Sequence, residues 1–179
     1  MTKKLKISRI NSWFRCILIF LFSLAIIPDN VFAQSNAKII FLVRHAEKAE
    51  DIAGDRNPSL NEAGLLRAEH LAEMLSTADI KLIYSTDFKR TTETGLPLAN
   101  LLGITIKKYD SRAPDALNKI LSETDNARIL IIGHSNTVPK MVNELLGSEK
   151  YPLLGEEEYD KLFMITKYDD HADCIVIRY

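Results

Sequence analysis

Arg44-His45, Arg90 and His134 follow three short apolar runs that lie far apart in the chain. Residues 38–43 (KIIFLV) lead into Arg44-His45-Ala46-Glu47-Lys48, and residues 81–85 (KLIYS) into Thr86-Asp87-Phe88-Lys89-Arg90-Thr91. Residues 127–132 (ARILII) lead into Gly133-His134-Ser135-Asn136-Thr137. Guanidinium groups keep their charge at any working pH and meet phosphate oxygens with paired hydrogen bonds. Imidazole, with an ordinary pKa of about 6.5, is largely neutral and nucleophilic near neutral pH, and adjacent cations resist its protonation further. Arginines and histidines gathered on one surface therefore suit a dianionic phosphate and its transfer through imidazole. Phosphoryl transfer needs mainly positioning and charge stabilisation, which such donors supply without a metal, and no other cofactor is implied.

Gathering those residues requires a fold in which separate strands end at one edge. Short β-branched runs alternate with longer amphipathic stretches, the pattern of a three-layer α/β/α sandwich with a mostly parallel sheet. In such sheets functional groups collect beyond the carboxyl ends of the strands. Strands are expected at residues 38–43, 81–85, 104–109, 127–132, 162–167 and 174–178. The first and fourth are apolar on both faces, as central strands should be, while the third alternates and suits an edge. The last two are joined too closely for a parallel crossover, so they must be antiparallel. Asn61 is an N-cap candidate for a helix to residue 75 whose buried stripe would be Leu65, Ala68, Leu71, Ala72 and Leu75. A second helix is expected over residues 89–102, closed by Gly103 and kinked or delayed by Pro97. Its N-terminal amides would add to an anion site. Further helices are expected at residues 113–123 and 138–146.

The first 33 residues read as an export signal followed by one domain, residues 34–179. Lys3, Lys4, Lys6, Arg9 and Arg15 make a basic start, and residues 16–27 are apolar except for Ser23. That is too short to span a bilayer and right for a signal's apolar region. Val31-Phe32-Ala33 supplies a small-residue cleavage site before Gln34, which predicts a periplasmic or secreted protein with no stable membrane anchor after cleavage. Without this segment, 18 Lys and Arg stand against 23 Asp and Glu, a net charge of −5 that argues against a nucleic-acid partner. Cys174 is then the one cysteine, so no intramolecular disulfide forms. It opens an apolar strand and reads as an inert buried thiol. His70 lies outside the apolar stripe and reads as exposed. Asp169, Asp170, His171 and Asp173 sit in a turn far from the strand ends above and are not expected to hold a metal.

RHAEK, YSTDFKRTTET and GHSNT, with NPSLNEAGLLRAEHLAEML between the first two, resemble the signature segments of the histidine phosphatase superfamily. The resemblance runs over residues 38–179 and implies a phosphoglycerate mutase-like fold with the first and fourth strands side by side. It implies that His45 is the phosphorylated nucleophile, that Arg44 and Arg90 clamp phosphate, and that His134 stabilises the transferring group. The family's proton donor lies after the third strand, which makes Asp110 the positional candidate and Glu47 its rival. Ala46 stands where many relatives have glycine. The implied activity is hydrolysis of phosphomonoesters through a phosphohistidine on His45. The alternatives are a phosphomutase, which export disfavours, and a non-catalytic phosphate-binding module. With no room for a large cap, an open site would admit a phosphorylated small molecule, an envelope component or a phosphoprotein. Nothing in the residues points to an oligomeric state.

Overall fold

Ile40 and Leu42 project to one face of their strand and Phe41 and Val43 to the other, and all four are buried, so helices must cover both sides. The computed structural model describes residues 37–50, 54–124 and 127–179. The export signal expected over residues 1–33 lies outside them. Strands β1 (Lys38–Arg44), β2 (Ile80–Ser85), β3 (Ile106–Lys108), β4 (Arg128–Gly133), β5 (Lys161–Lys167) and β6 (Ala172–Arg178) form one sheet in the order β3-β2-β4-β1-β5-β6. β5 pairs antiparallel with both neighbours, whereas β1, β2, β3 and β4 pair parallel with one another. The layers are those expected, with one antiparallel strand in a six-stranded sheet.

Among the described residues four helices cover the sheet: α1 (Glu62–Leu75), α2 (Lys89–Leu102), α3 (Ala116–Ser122) and α4 (Thr137–Leu146). α1 and α2 pack with Phe41, Val43, Ile83, Leu130 and Ile132, while α3 and α4 pack with Ile40, Leu42, Ile129 and Ile131 on the opposite face. Each fully buried Ile or Leu side chain in these layers contributes about 1.5–3 kcal/mol relative to exposure. The central position of β1 and β4 follows from this double burial.

Local departures have local causes. Asn61 caps α1 by accepting a hydrogen bond from the Gly64 amide, but Leu65 is 51% exposed and does not join the buried stripe. Gly64 takes that place: the Asn61 amide donates to Glu47 O at 3.0 Å, and a Cβ on Gly64 would stand 2.1 Å from the same carbonyl. α2 starts at Lys89 despite Pro97, with Asn57 Oδ1 receiving the Lys89 amide at 2.9 Å, and Gly103 closes it in the left-handed conformation. α3 starts later than residue 113 because Pro114 disfavours a helical Ala113. β3 is an edge strand as expected but spans only three residues, since the Ile104 amide still bonds back to Ala99 O at the end of α2. The turn between β5 and β6 lies beside the start of β1, at the far end of the sheet from His45. There His171 pairs with Asp170 and stacks on Tyr168. His70 is exposed and Cys174 half-buried, its thiol pushed up by burial.

Candidate active site

The parallel pairing of β1 with β4 sets Arg44 opposite Gly133, and the His45 amide donates to Gly133 O at 2.9 Å. His45 and His134 therefore leave the sheet side by side, with ring centroids 5.4 Å apart. His45 is 5% exposed. Its Nδ1 lies 2.7 Å from Ala46 O. A carbonyl only accepts, so Nδ1 carries the proton and Nε2 keeps its lone pair. Burial foremost, together with the charges of Arg90 and Arg44 and the ring of His134, draws the His45 pKa down to about 3 against the Ala46 bond that opposes it. The ring is thus held neutral near neutral pH, with the Nε2 lone pair available. The Ala46 amide is in turn held by Thr94 Oγ1 at 2.9 Å, so α2 fixes the turn that presents the imidazole.

His134 is shaped by the same forces: burial, then Arg90 and Arg44, lower its pKa to about 4. Its Nε2 lies 2.9 Å from Thr86 Oγ1. Phe88 meets the ring edge-on with centroids 5.1 Å apart, and the Arg90 guanidinium sits 4.5 Å from the Phe88 ring. One aromatic side chain thereby orients both a histidine and an arginine. Arg44 is 7% exposed and stacks 3.9 Å from the Tyr159 ring, whose centroid is 6.0 Å from that of His45. Its Nη1 donates to Gly155 O at 2.7 Å and Glu156 O at 2.8 Å. Arg44 therefore ties down the segment before β5, while its buried Nε makes no hydrogen bond among the described residues. A phosphate oxygen would satisfy such a donor.

A cleft of about 830 Å³ opens beside these groups, lined in part by Arg90, His134, Lys108, Asp110, Arg112 and Lys140. Asp110 is exposed on its wall and bonded to the Arg112 amide and guanidinium, which hold its carboxyl below the usual range. Glu47 is turned elsewhere. Arg67 Nε meets both its oxygens at 2.9 Å and Arg67 Nη2 adds a third bond at 2.7 Å. Burial would raise the Glu47 pKa, but the bonds and charge of Arg67 outweigh it and hold the carboxylate low. Arg67 also donates to Tyr179 O at 2.8 Å, so this pair joins the loop after β1 to α1 and to the end of β6.

Residues 40–111 match the family model of the histidine phosphatase superfamily (branch 1). The match takes in the first of the two histidine-bearing strand ends and the segment that carries Arg90. Phosphoserine phosphatase 1 of Hydrogenobacter thermophilus is 32% identical over 117 residues, covering 63% of this chain and 46% of that protein, so the match takes in just under half of that relative. The solved protein histidine phosphatase SixA, complexed with tungstate, has a TM-score of 0.64 at 20% identity over 78% of this chain and 96% of its own. A mycobacterial glucosyl-3-phosphoglycerate phosphatase has a TM-score of 0.59 at 15% identity over 79% of this chain and 99% of its own. The α/β fold of these solved phosphatases is thus the fold of this chain.

Within that fold, several residues beside the site carried no signal of their own. Tyr159 stands 114 positions after His45 and reaches it only because β5 pairs with β1. Thr86, Thr91 and Thr94 read as ordinary polar residues of a strand end and a helix. A clue was available in α2, where Thr91, Thr94 and Leu98 recur at helical spacing and are all buried, which places two hydroxyls on the inward face.

Proposed function

We propose that the protein is a phosphomonoester hydrolase working through a phosphohistidine on His45. The observation that carries this reading is the His45 ring: buried, neutral, its Nδ1 proton spent on Ala46 O and its Nε2 lone pair left to attack. The lone pair forms the N–P bond as the bond from phosphorus to the ester oxygen breaks. Arg44, Arg90 and His134 hold the charge that spreads over the remaining phosphoryl oxygens. Asp110 protonates the departing oxygen. It is the better placed carboxyl, lining the cleft with His134 and Arg90, whereas Glu47 is committed to Arg67. Bound phosphate supplies the negative charge that raises its pKa for this role. Water, deprotonated by Asp110, then attacks phosphorus, and inorganic phosphate leaves as the N–P bond breaks.

The open cleft supports an accessible phosphate ester rather than one sealed under a cap. Its wall carries Lys140 and Arg90 beside the Lys108–Asp87 and Arg112–Asp110 pairs, a surplus of positive charge that favours an anionic substrate, whether a small molecule, an envelope component or a phosphoprotein. The similar proteins named above, a phosphoserine phosphatase, a protein histidine phosphatase and a glucosyl-3-phosphoglycerate phosphatase, all act on phosphorylated substrates by name, which supports this reading. Export by residues 1–33 would put the reaction outside the cytoplasm.

The test is rapid quenching of turnover mixtures. Wild type yields a phosphorylated His45 peptide that survives alkali and is lost in acid, and His45→Asn yields neither adduct nor inorganic phosphate. Undiminished turnover by His45→Asn refutes the mechanism. Phosphate binding with no adduct and no turnover in wild type identifies a binding module instead, and return of the phosphoryl group to an acceptor substrate identifies a mutase.

A further inference from the structure

Behind His134 two buried hydroxyls form a chain. His134 Nε2 lies 2.9 Å from Thr86 Oγ1, which lies 3.0 Å from Thr91 Oγ1. Thr91 Oγ1 stands 2.9 Å from two carbonyl oxygens, those of Thr86 and Phe88. Thr86 is 2% exposed and Thr91 0%, so no solvent intervenes. The proton positions follow from the acceptors at the far end. Two carbonyl oxygens at 2.9 Å repel a hydroxyl oxygen unless its proton lies between them, so the single Thr91 proton points there. Thr91 Oγ1 can then only accept from Thr86. The one Thr86 proton is used in that bond, so Thr86 Oγ1 can only accept from His134.

We propose that Thr86 and Thr91 are positioning residues that hold neutral His134 as its Nε2–H tautomer, so that this ring donates to phosphate through Nδ1 only after taking up a proton when phosphate binds. The first part stands on the hydroxyl chain alone, and the second rests on phosphate binding as proposed above. Nδ1 makes no hydrogen bond among the described residues, and His134 lines the cleft. Around it stand Arg44 at the end of β1, His45 just after it and Arg90 from α2; burial, then the charges of Arg90 and Arg44, keep the free ring neutral with a pKa of about 4. Across the cleft Asp110 is tied to Arg112, and Asp87 lies 3.9 Å from Lys108, which leaves Lys140 as the unbalanced charge. Phosphate dianion reverses the sign of the field at Nδ1, and the proton then enters from solvent or from a monoanionic ligand. The threonines thus make His134 a donor that is charged only when there is an anion to bind.

The experiment is nitrogen NMR of the full protein with labelled histidine. Free wild type and Thr86→Ser should show His134 protonated at Nε2 and bare at Nδ1, while Thr86→Val should shift the proton toward Nδ1. A free wild type protonated at Nδ1 overturns the proposal, and so does a Thr86→Val protein that keeps the wild-type tautomer. Calorimetry with inorganic phosphate, in buffers of different ionisation heat and above the second phosphate pKa, gives the second readout. Wild type should take up about one proton more than Thr86→Val on binding, with Thr86→Ser restoring the uptake, and equal uptake by all three refutes the coupling. Failure of phosphate to bind defeats the phosphatase reading instead, and the tautomer in the free protein still decides this one.

Discussion

Acidification should destabilise this fold through His45 by an amount that can be separated from every other titrating group. The unfolded imidazole titrates near 6.5, whereas burial and the neighbouring cations bring the folded pKa to about 3. The folded value is the lower one, so as pH falls the unfolded chain binds the proton first. Stability is then full above about 6.5, declines through the window, and loses nothing further on this account below about 3. At about pH 4 the unfolded ring is protonated and the folded ring is not. A gap of about 2.5 pH units at 1.36 kcal/mol each makes the loss about 3 kcal/mol. His45→Gln keeps a neutral polar side chain at the site and removes the titration. Urea unfolding at about pH 7 and about pH 4, in phosphate-free buffer so that no bound anion adds stability, gives four free energies. The acid-induced loss should be about 3 kcal/mol greater in wild type than in His45→Gln, with the carboxylates and the distant histidines cancelling in the double difference and the same comparison in a His134→Gln background removing the one imidazole beside His45. Equal losses in the two proteins would show that folded His45 titrates like a free imidazole, and the case for a buried neutral nucleophile would fail with it.

Three further outcomes are expected. Gly64→Ala should cost about 3 kcal/mol, the upper end for overpacking, because its Cβ meets a backbone carbonyl instead of a movable side chain; thermal unfolding that matches wild type would show that α1 can shift freely. Asp110→Asn should lose roughly 10²- to 10⁴-fold on an alkyl phosphate and far less on nitrophenyl phosphate, whose leaving group departs unaided. Glu47→Gln should instead lower stability by about 1–2 kcal/mol through the unpaired Arg67 and slow both substrates alike, and the reverse pattern in these steady-state assays would transfer the acid role to Glu47. Protein recovered from the extracytoplasmic fraction should begin at or near Gln34 by N-terminal mass spectrometry, and full-length protein in the cytosol would refute export.

Much of the fold was legible from periodicity because the physics of a doubly covered sheet is written locally. Residues 38–43 and 127–132 are apolar on both faces, which could be satisfied only at the centre of the sheet, and Asn61 with Ala68, Leu71 and Leu75 marked a capped helix with one buried side. The misreadings came where a contact distant in sequence overrode the local pattern. Leu65 had the right spacing for the stripe, but Gly64 must lie against the Glu47 carbonyl, and that approach turns Leu65 outward. The residues of the three strand ends were likewise visible by type, since arginine and histidine just past an apolar strand are hard to explain by packing.

The sequence by itself determined the alternation of strands and helices, the residues delivered to the strand ends and the chemistry open to them, because those depend on side-chain type and short-range spacing. Only the tertiary structure decided which nitrogen of His45 keeps its lone pair, through Ala46 O, and which carboxyl faces the cleft, through the Glu47–Arg67 pair. It alone brought Tyr159 over Arg44 and set the Thr86 and Thr91 hydroxyls behind His134. Proton placement and charge pairing depend on distances of about 3 Å between groups that strand order, not sequence proximity, brings together.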